Sequence, residues 1–227
     1  MSNISDGLSF DFNCDFDYPS TLELGLLRTY IENIDATVEA SCQKFRETEY
    51  RKHQSSCERD EYFTGQHIEY VAHEHLPNII KKPLVITCWS QLESLCKSYI
   101  AYAHKKGAKG LSDLKEEGFI KKRNSEFGKW AKFFKHELDL DLKPIIAQRV
   151  DELNVVRNCI AHASGNVLAM HKAADQTKIF TIAKKGIGLE IDVLDRIIIH
   201  TDFLRWSLDV VESVIHPFNT VFEEKYR

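Results

Sequence analysis

The sequence predicts an all-α protein, a helical bundle with one short β-hairpin placed before the C-terminal helix. Five prolines and ten glycines occur among 227 residues, too few for the many tight turns of a β-sandwich or barrel. With 43% hydrophobic and 28% charged residues, the composition is that of an ordinary globular chain, which excludes collagen-like and wholly disordered proteins. Several segments also repeat apolar residues every three or four positions, the spacing that gives a helix one buried face.

Residues 1–19 are predicted to form an acidic, aromatic, extended segment, because apolar and polar residues alternate there with the period of a strand. The apolar series is Leu8, Phe10, Phe12, Cys14, Phe16 and Tyr18. Two roles stay open for this segment, an edge strand that completes the hairpin or an acidic mimic that covers a basic surface. From Ser20 the period changes, and a capping box of Ser20 with Glu23 predicts a long helix that runs toward Gln54. Residues 20–227 contain no linker or repeat, so they are predicted to form one domain.

Two helices are predicted in the middle of the chain. The stronger signal begins at Val85, steps by three and four through an apolar stripe, and ends near Gly107. Residues 111–138 predict a second helix with a break near Gly118 or Gly128.

The hairpin and the last helix complete the predicted fold. Ile179 and Thr181 are expected to pair with the strand-like residues Leu189, Ile191 and Val193. The apolar stripe of the last helix consists of Val193, Ile197, His200, Leu204, Leu208, Val211 and Ile215. Pro217 closes that stripe, and His200 is predicted to be a hydrogen-bonded core histidine.

The most informative stretch runs from Glu152 to Gly165, within a helix predicted to start at Pro144 and stop at Ser164-Gly165. One face of this helix is expected to be buried and consists of Leu153, Val156, Ile160 and Ala163. The polar residues Arg157, Asn158 and His162 lie outside that face. At 100° per residue, Asn158 and His162 are neighbours, whereas Arg157 and His162 lie about 140° apart.

This block resembles the signature of the HEPN superfamily. In the ribonuclease members of that superfamily, four to six residues separate an Arg from a His, and the residue directly after the Arg is polar. Here Asn158 directly follows Arg157, and four residues separate Arg157 from His162, which closes its helix. The spacing alone is common, since Arg46 and His53 form another such pair. The resemblance covers residues 82–216. It implies a HEPN-like helical bundle and a homodimer whose two motif helices face each other.

The resemblance also implies a metal-independent endoribonuclease without cofactors, of the kind found as toxins or phage-defence effectors. His162 would act as general base or acid at the ribose 2′-hydroxyl. Arg157 would hold the scissile phosphate, and Asn158 would orient the imidazole or a phosphate oxygen. The expected partners are RNA, a second copy and an antitoxin or regulatory protein. Two alternatives stay open: a catalytically silent HEPN module that binds RNA, nucleotide or protein, and a structural adaptor in which the Arg157 and His162 face is buried against the chain itself.

A basic segment follows the central helix and is the predicted RNA-binding surface. Residues 105–135 hold ten Lys or Arg against four acids, in a chain whose net charge is −4. Phosphates bind cations and unstacked bases bind flat rings, so the expected RNA contacts are Lys121, Lys122, Arg123 and Trp130. The alternative is that the aromatic residues are core and the lysines their solvated face.

A group of histidines and acids in the polar segment 57–82, which is predicted to be partly helical, raises the question of a metal site. Its members are His67, Glu69, His73, Glu74 and His75. Their spacing matches no common zinc motif, so we predict surface residues and no metal. Glu93 lies four positions before Lys97 and is predicted to pair with it. The alternative is that Glu93 supports the catalytic face.

The expected location is the cytoplasm. Six cysteines without a C-x-x-C pair are typical of reduced thiols. The apolar runs are far shorter than the about 20 residues of a membrane span, and the first residues do not resemble a signal peptide. No membrane association is therefore predicted.

Overall fold

A computed structural model describes residues 17–53, 61–122 and 124–226 of the chain. Within these ranges the backbone is mostly helical, and the sheet is a two-stranded antiparallel hairpin. The elements in chain order are α1 (Asp17–Glu32), α2 (Ile34–His53), α3 (Glu61–Tyr70), a π-helical turn (Val71–His75), α4 (Leu76–Lys105), α5 (Leu111–Glu116), α6 (Glu126–Leu138), α7 (Pro144–Ala163), α8 (Ala173–Ala183), β1 (Leu189–Ile191), β2 (Ile197–Ile199) and α9 (Thr201–Tyr226). The predicted all-α class is confirmed.

Helix α4 lies at the centre of the bundle, where it contacts α2, α7 and α9. Its predicted apolar stripe is buried and consists of Val85, Cys88, Leu92, Leu95 and Tyr99. Helix α9 contributes a second buried stripe, formed by Phe203, Leu204, Leu208, Val211 and Ile215. These side chains belong to one continuous core, which burial of apolar surface stabilises. Within the described part of the chain, no helix is both long and apolar enough to cross a membrane.

Helix α6 buries an aromatic face against this core. The buried residues are Phe127, Trp130, Phe133 and Phe134. The predicted break in this region occurs near Gly118, whereas Gly128 lies inside α6. Ser125 begins the helix, because its side-chain oxygen accepts the backbone N–H of Gly128 at 3.1 Å.

A buried lysine fixes three helices to one another. Lys81 in α4 is 8% exposed and donates to the Asp35 carboxylate in α2 at 2.7 Å. Thr201, at the start of α9, donates to the same oxygen at 2.6 Å. Although burial alone would raise the pKa of Asp35, the hydrogen bonds from Lys81 and Thr201 hold it below its ordinary value.

The first predicted helix is divided in two. Helix α1 begins at Asp17 instead of Ser20, and α2 starts after a one-residue interruption at Asn33. The Asn33 side chain donates to the Thr29 carbonyl at 2.7 Å, and such local hydrogen bonds compete with helical ones. Most of the predicted extended segment, residues 1–16, lies outside the described residues.

The hairpin precedes the last helix as predicted, but its first predicted strand is wrong. Ile179 and Thr181 lie in α8, where Ile179 and Ile182 are buried three positions apart. Strand β1 pairs instead with β2. The turn between them is held by Asp192, whose carboxylate accepts the backbone N–H groups of Leu194 and Arg196.

The last helix begins later and ends later than predicted. Val193 is 98% exposed in the hairpin turn, and Ile197 belongs to β2. The prediction of a core His200 is wrong, because this residue lies between β2 and α9 and faces solvent, with its ring 3.4 Å from Glu190. Pro217 lies inside α9 and does not end it.

Candidate functional site

Helix α7 carries the Arg157 to His162 motif on its last turns. The helix begins at Pro144 and ends at Ala163, as predicted. Ser164 adopts a left-handed conformation with φ 52°, and Gly165 follows with φ 81°. A side chain at position 165 would be strained by this φ and would place its Cβ 2.8 Å from the Lys82 Nζ atom. The motif therefore lies directly before a helix stop that requires glycine.

The predicted inner face of α7 is confirmed at Leu153 and Val156, which are fully buried. Ile160 and Ala163 are half-buried and pack at the edge of the same core. This packing fixes the rotation of the helix and so determines the direction in which the motif side chains leave it.

Arg157 is half-buried, and its guanidinium group is turned toward Asn158. The Arg157 Nη1 atom donates to the Asn158 Oδ1 atom at 2.8 Å. The Asn158 Nδ2 atom donates in turn to Asn154 Oδ1 at 3.4 Å. The Arg157 Nε atom is buried and has no hydrogen-bond partner among the described residues. A buried donor without an acceptor is costly, so this atom carries an unsatisfied hydrogen-bonding capacity inside the protein.

His162 lies on the last turn of α7 and is exposed. Within the ranges that the structure describes, no hydrogen bond or ion pair engages its ring. The predicted contact between Asn158 and the imidazole is absent, because the Asn158 amide binds Arg157 and Asn154 instead. Asn158 nevertheless lies between the other two on the helix surface, about 100° from Arg157 and about 40° from His162. The Arg157 hydrogen bond therefore directs the guanidinium toward the His162 side.

Helix α4 places an acidic group near Arg157. Glu93 binds Lys97 at 2.5 Å, which confirms the predicted pair. The hydrogen bond from Lys97 lowers the pKa of Glu93, and the positive charge of Arg157 acts in the same direction. Glu93 is therefore an acidic group that is paired with Lys97 and lies near Arg157.

The basic segment is only partly available to a nucleic acid. Lys121 and Lys122 are exposed in the loop before α6, and Arg123 lies outside the described residues. Trp130 is 1% exposed, so the prediction that it stacks on RNA bases is wrong. The reason is that Trp130 shares the inner face of α6, whereas Phe119, in the preceding loop, is 49% exposed.

The acid that begins α6, directly after the basic loop, acts on Lys97 in α4. The Glu126 carboxylate, directly after the loop, lies close enough to Lys97 to contribute to its raised pKa, whose main cause is the hydrogen bond with Glu93. Glu93 is in turn near Arg157. Helix α6, which follows the loop, and the motif helix α7 both contact α4.

No protein-family model, curated protein or solved structure matches this chain. Function is therefore inferred from the side chains and their geometry.

The histidine cluster before α4 forms part of a surface hydrogen-bond network. His73 Nε2 lies 3.0 Å from Arg46 Nη2, and Arg46 Nε donates to Glu69 at 3.0 Å. The His75 ring packs edge-on against Tyr70, 5.0 Å between centroids. Within the described parts of the chain, no group of three or more His, Cys, Asp or Glu is arranged to hold a metal ion.

Two charged residues that the sequence did not single out meet beside the end of α7. Lys82 comes from α4, and Arg196 comes from the hairpin, where it forms a bridge with Asn166. They are more than a hundred positions apart, so no local pattern could have paired them.

Proposed function

We propose that the chain is a metal-independent endoribonuclease of HEPN type, in which Arg157, Asn158 and His162 act on a ribose-linked phosphodiester. The observation that carries the proposal is the combination on α7 of an exposed imidazole, His162, and a half-buried guanidinium, Arg157, that is hydrogen-bonded to Asn158. A guanidinium binds a phosphate with two parallel hydrogen bonds, and an imidazole exchanges protons near neutral pH.

The chemistry requires one proton to be removed and another to be supplied. His162 would take the proton of the 2′-hydroxyl while O2′ forms a bond to phosphorus. The bond from phosphorus to the 5′-oxygen breaks, and that oxygen would take the proton held by the His162 imidazolium, which returns His162 to its neutral form. Arg157 would offset the negative charge that develops on the phosphoryl oxygens. The products are a 2′,3′-cyclic phosphate and a 5′-hydroxyl, and a deoxyribose at the cleaved position stops the reaction.

A second copy would complete this site. Arg157 and His162 point about 140° apart and lie about 7.5 Å apart along the helix axis. In a homodimer with facing α7 helices, Arg157 of one protomer would lie opposite His162 of the partner subunit. Ala161, small and exposed between them, permits the close approach of two helices. Lys121 and Lys122 would extend the site along the RNA backbone.

This arrangement suits a toxin or phage-defence effector that an antitoxin or another regulatory protein controls by covering the motif. The silent-module alternative is favoured by the hydrogen bonds that already engage Asn158. The structural adaptor requires the motif face to be buried against the chain, and His162 is exposed.

Arg157→Ala is expected to lower the rate of RNA cleavage by about 10²–10³-fold, because the developing charge loses its donor. Arg157→Lys should not restore the rate, since an ammonium lacks the planar fork. The measurement is single-turnover cleavage of RNA in EDTA, with melting curves of each variant. Arg149→Ala, on the exposed surface of the same helix, is the matched control and should cleave like the wild type.

Equal cleavage rates for Arg157→Ala and the wild type would overturn the role of Arg157. RNA that binds but is not cut by any of these proteins would favour the silent module.

A further inference from the structure

A cleft of about 380 Å³ opens between the start of α4, the end of α7 and the hairpin. Its apolar wall is formed by Ile79, Pro83, Ile86, Ile160 and Ile197. Pro83 lies inside α4 and has no N–H, so it cannot donate to the Ile79 carbonyl one turn earlier. The volume falls in the range of sites that hold small organic molecules.

Lys82 supplies a positive charge to this cleft. Its Nζ atom lies against the backbone of Gly165, and in the described part of the chain its side chain has no hydrogen bond or ion pair. Burial lowers the pKa of Lys82, and the neighbouring charge of Arg196 lowers it further. Lys82 thus faces the cleft without a hydrogen-bonded acid, whereas the neighbouring Arg196 is paired with Asp192 and donates to the Tyr70 hydroxyl.

The carboxylates around the cleft form no ion pair with Lys82 in the described part of the chain, although the charge of Asp192 partly offsets the lowering of the Lys82 pKa. Asp192 is bound to Arg196 at 2.7 Å and accepts the backbone N–H of Leu194. Glu74 is exposed at the rim. An anion that enters the cleft would therefore gain the attraction of Lys82 and relieve its repulsion with Arg196.

We infer that this cleft binds a small organic phosphate, with the phosphate group between Lys82 and Arg196 and a ring or apolar body against Ile79, Ile86 and Ile160. The ammonium of Lys82 and the guanidinium of Arg196 both line the cleft and suit a tetrahedral dianion, and the isoleucines suit an apolar body. Ile160 and His162 lie about 160° apart around α7. The ligand site is therefore separate from the proposed nuclease site and does not rest on it.

Phenyl phosphate, which joins a phosphate to a ring, is the probe for titration calorimetry with the full chain. We expect a Kd below about 1 mM for phenyl phosphate. Phenol, which lacks the phosphate, and inorganic phosphate, which lacks the ring, should bind much more weakly. Lys82→Met should weaken the binding of phenyl phosphate at least about tenfold. The melting temperature of this variant should equal or exceed that of the wild type, because a half-buried unpaired charge is removed. Lys105→Met, an exposed position on the same helix, should bind like the wild type.

A second measurement uses the unmodified chain. Phenyl phosphate should protect Lys82, but not Lys105, from acetylation that is followed by mass spectrometry. Equal affinity of Lys82→Met, absence of binding up to about 10 mM phenyl phosphate, or unprotected Lys82 would each overturn the site. Binding that is lost on Lys82→Met together with protection of Lys82 would support it.

Discussion

In RNA-cleavage assays, His162→Ala is expected to be slower than the wild type by about 10²–10⁴-fold, the contribution of a positioned general base or acid. The variant should keep its melting temperature, because the ring is exposed and makes no contact within the described residues that folding depends on. The assay is carried out in EDTA, so that the rate reports chemistry without divalent metals.

The control for His162 is His171→Ala, an exposed histidine beyond the end of α7. It should cleave like the wild type. Unchanged cleavage by His162→Ala would exclude the imidazole from the chemistry. If the wild type stops the growth of a host and the His162→Ala variant stops it equally, the arrest comes from another activity.

Trp130→Ala is expected to destabilise the protein by about 3–5 kcal/mol, the usual cost of removing a large aromatic side chain from a packed core. Trp130 is 1% exposed and packs edge-on against Phe127, 6.3 Å between ring centroids. Urea unfolding of the two proteins measures the difference. In the same assay, Phe119→Ala should cost less than about 1 kcal/mol, because that ring is half exposed.

If the Trp130→Ala protein keeps wild-type stability but binds RNA more weakly, the buried position of this ring is contradicted. That result would support the prediction that Trp130 contacts RNA.

The apolar stripe of α4 and the bounds of α7 could be predicted from the sequence because their signals are long, although α4 begins at Leu76 and not at the predicted Val85. Helix α4 repeats its apolar residues over several turns, and α7 lies between Pro144 and the Ser164-Gly165 stop. Over such lengths the period of 3.6 residues cannot be mistaken for that of a strand.

Short apolar runs carry no such information. Ile179 and Thr181 fit either a strand or one face of a helix. In the structure they lie in α8, because a helix allows Ile179 and Ile182 to be buried on the same face. His200 continues the three-and-four spacing of the last helix by chance. The Asp192 turn, which determines where β2 starts, depends on side-chain hydrogen bonds that the pattern does not encode.

The candidate site was predictable only along one helix. Since Arg157, Asn158 and His162 share α7, helix geometry gives their relative directions. The proximity of Glu93 comes from the packing of α4 on α7, and the meeting of Lys82 with Arg196 comes from the hairpin. Such contacts between distant segments have no signature in a single sequence.

The central claim is that this protein cuts RNA by attack of the neighbouring 2′-hydroxyl. The most direct test incubates the purified chain in EDTA with an RNA, and with the same RNA carrying one 2′-deoxy residue at the mapped cleavage position. We predict fragments that end in a 2′,3′-cyclic phosphate and a 5′-hydroxyl from the first, and an uncut bond at the deoxy position in the second. RNA that stays intact, or cleavage that persists beside the deoxyribose, would contradict the proposed chemistry.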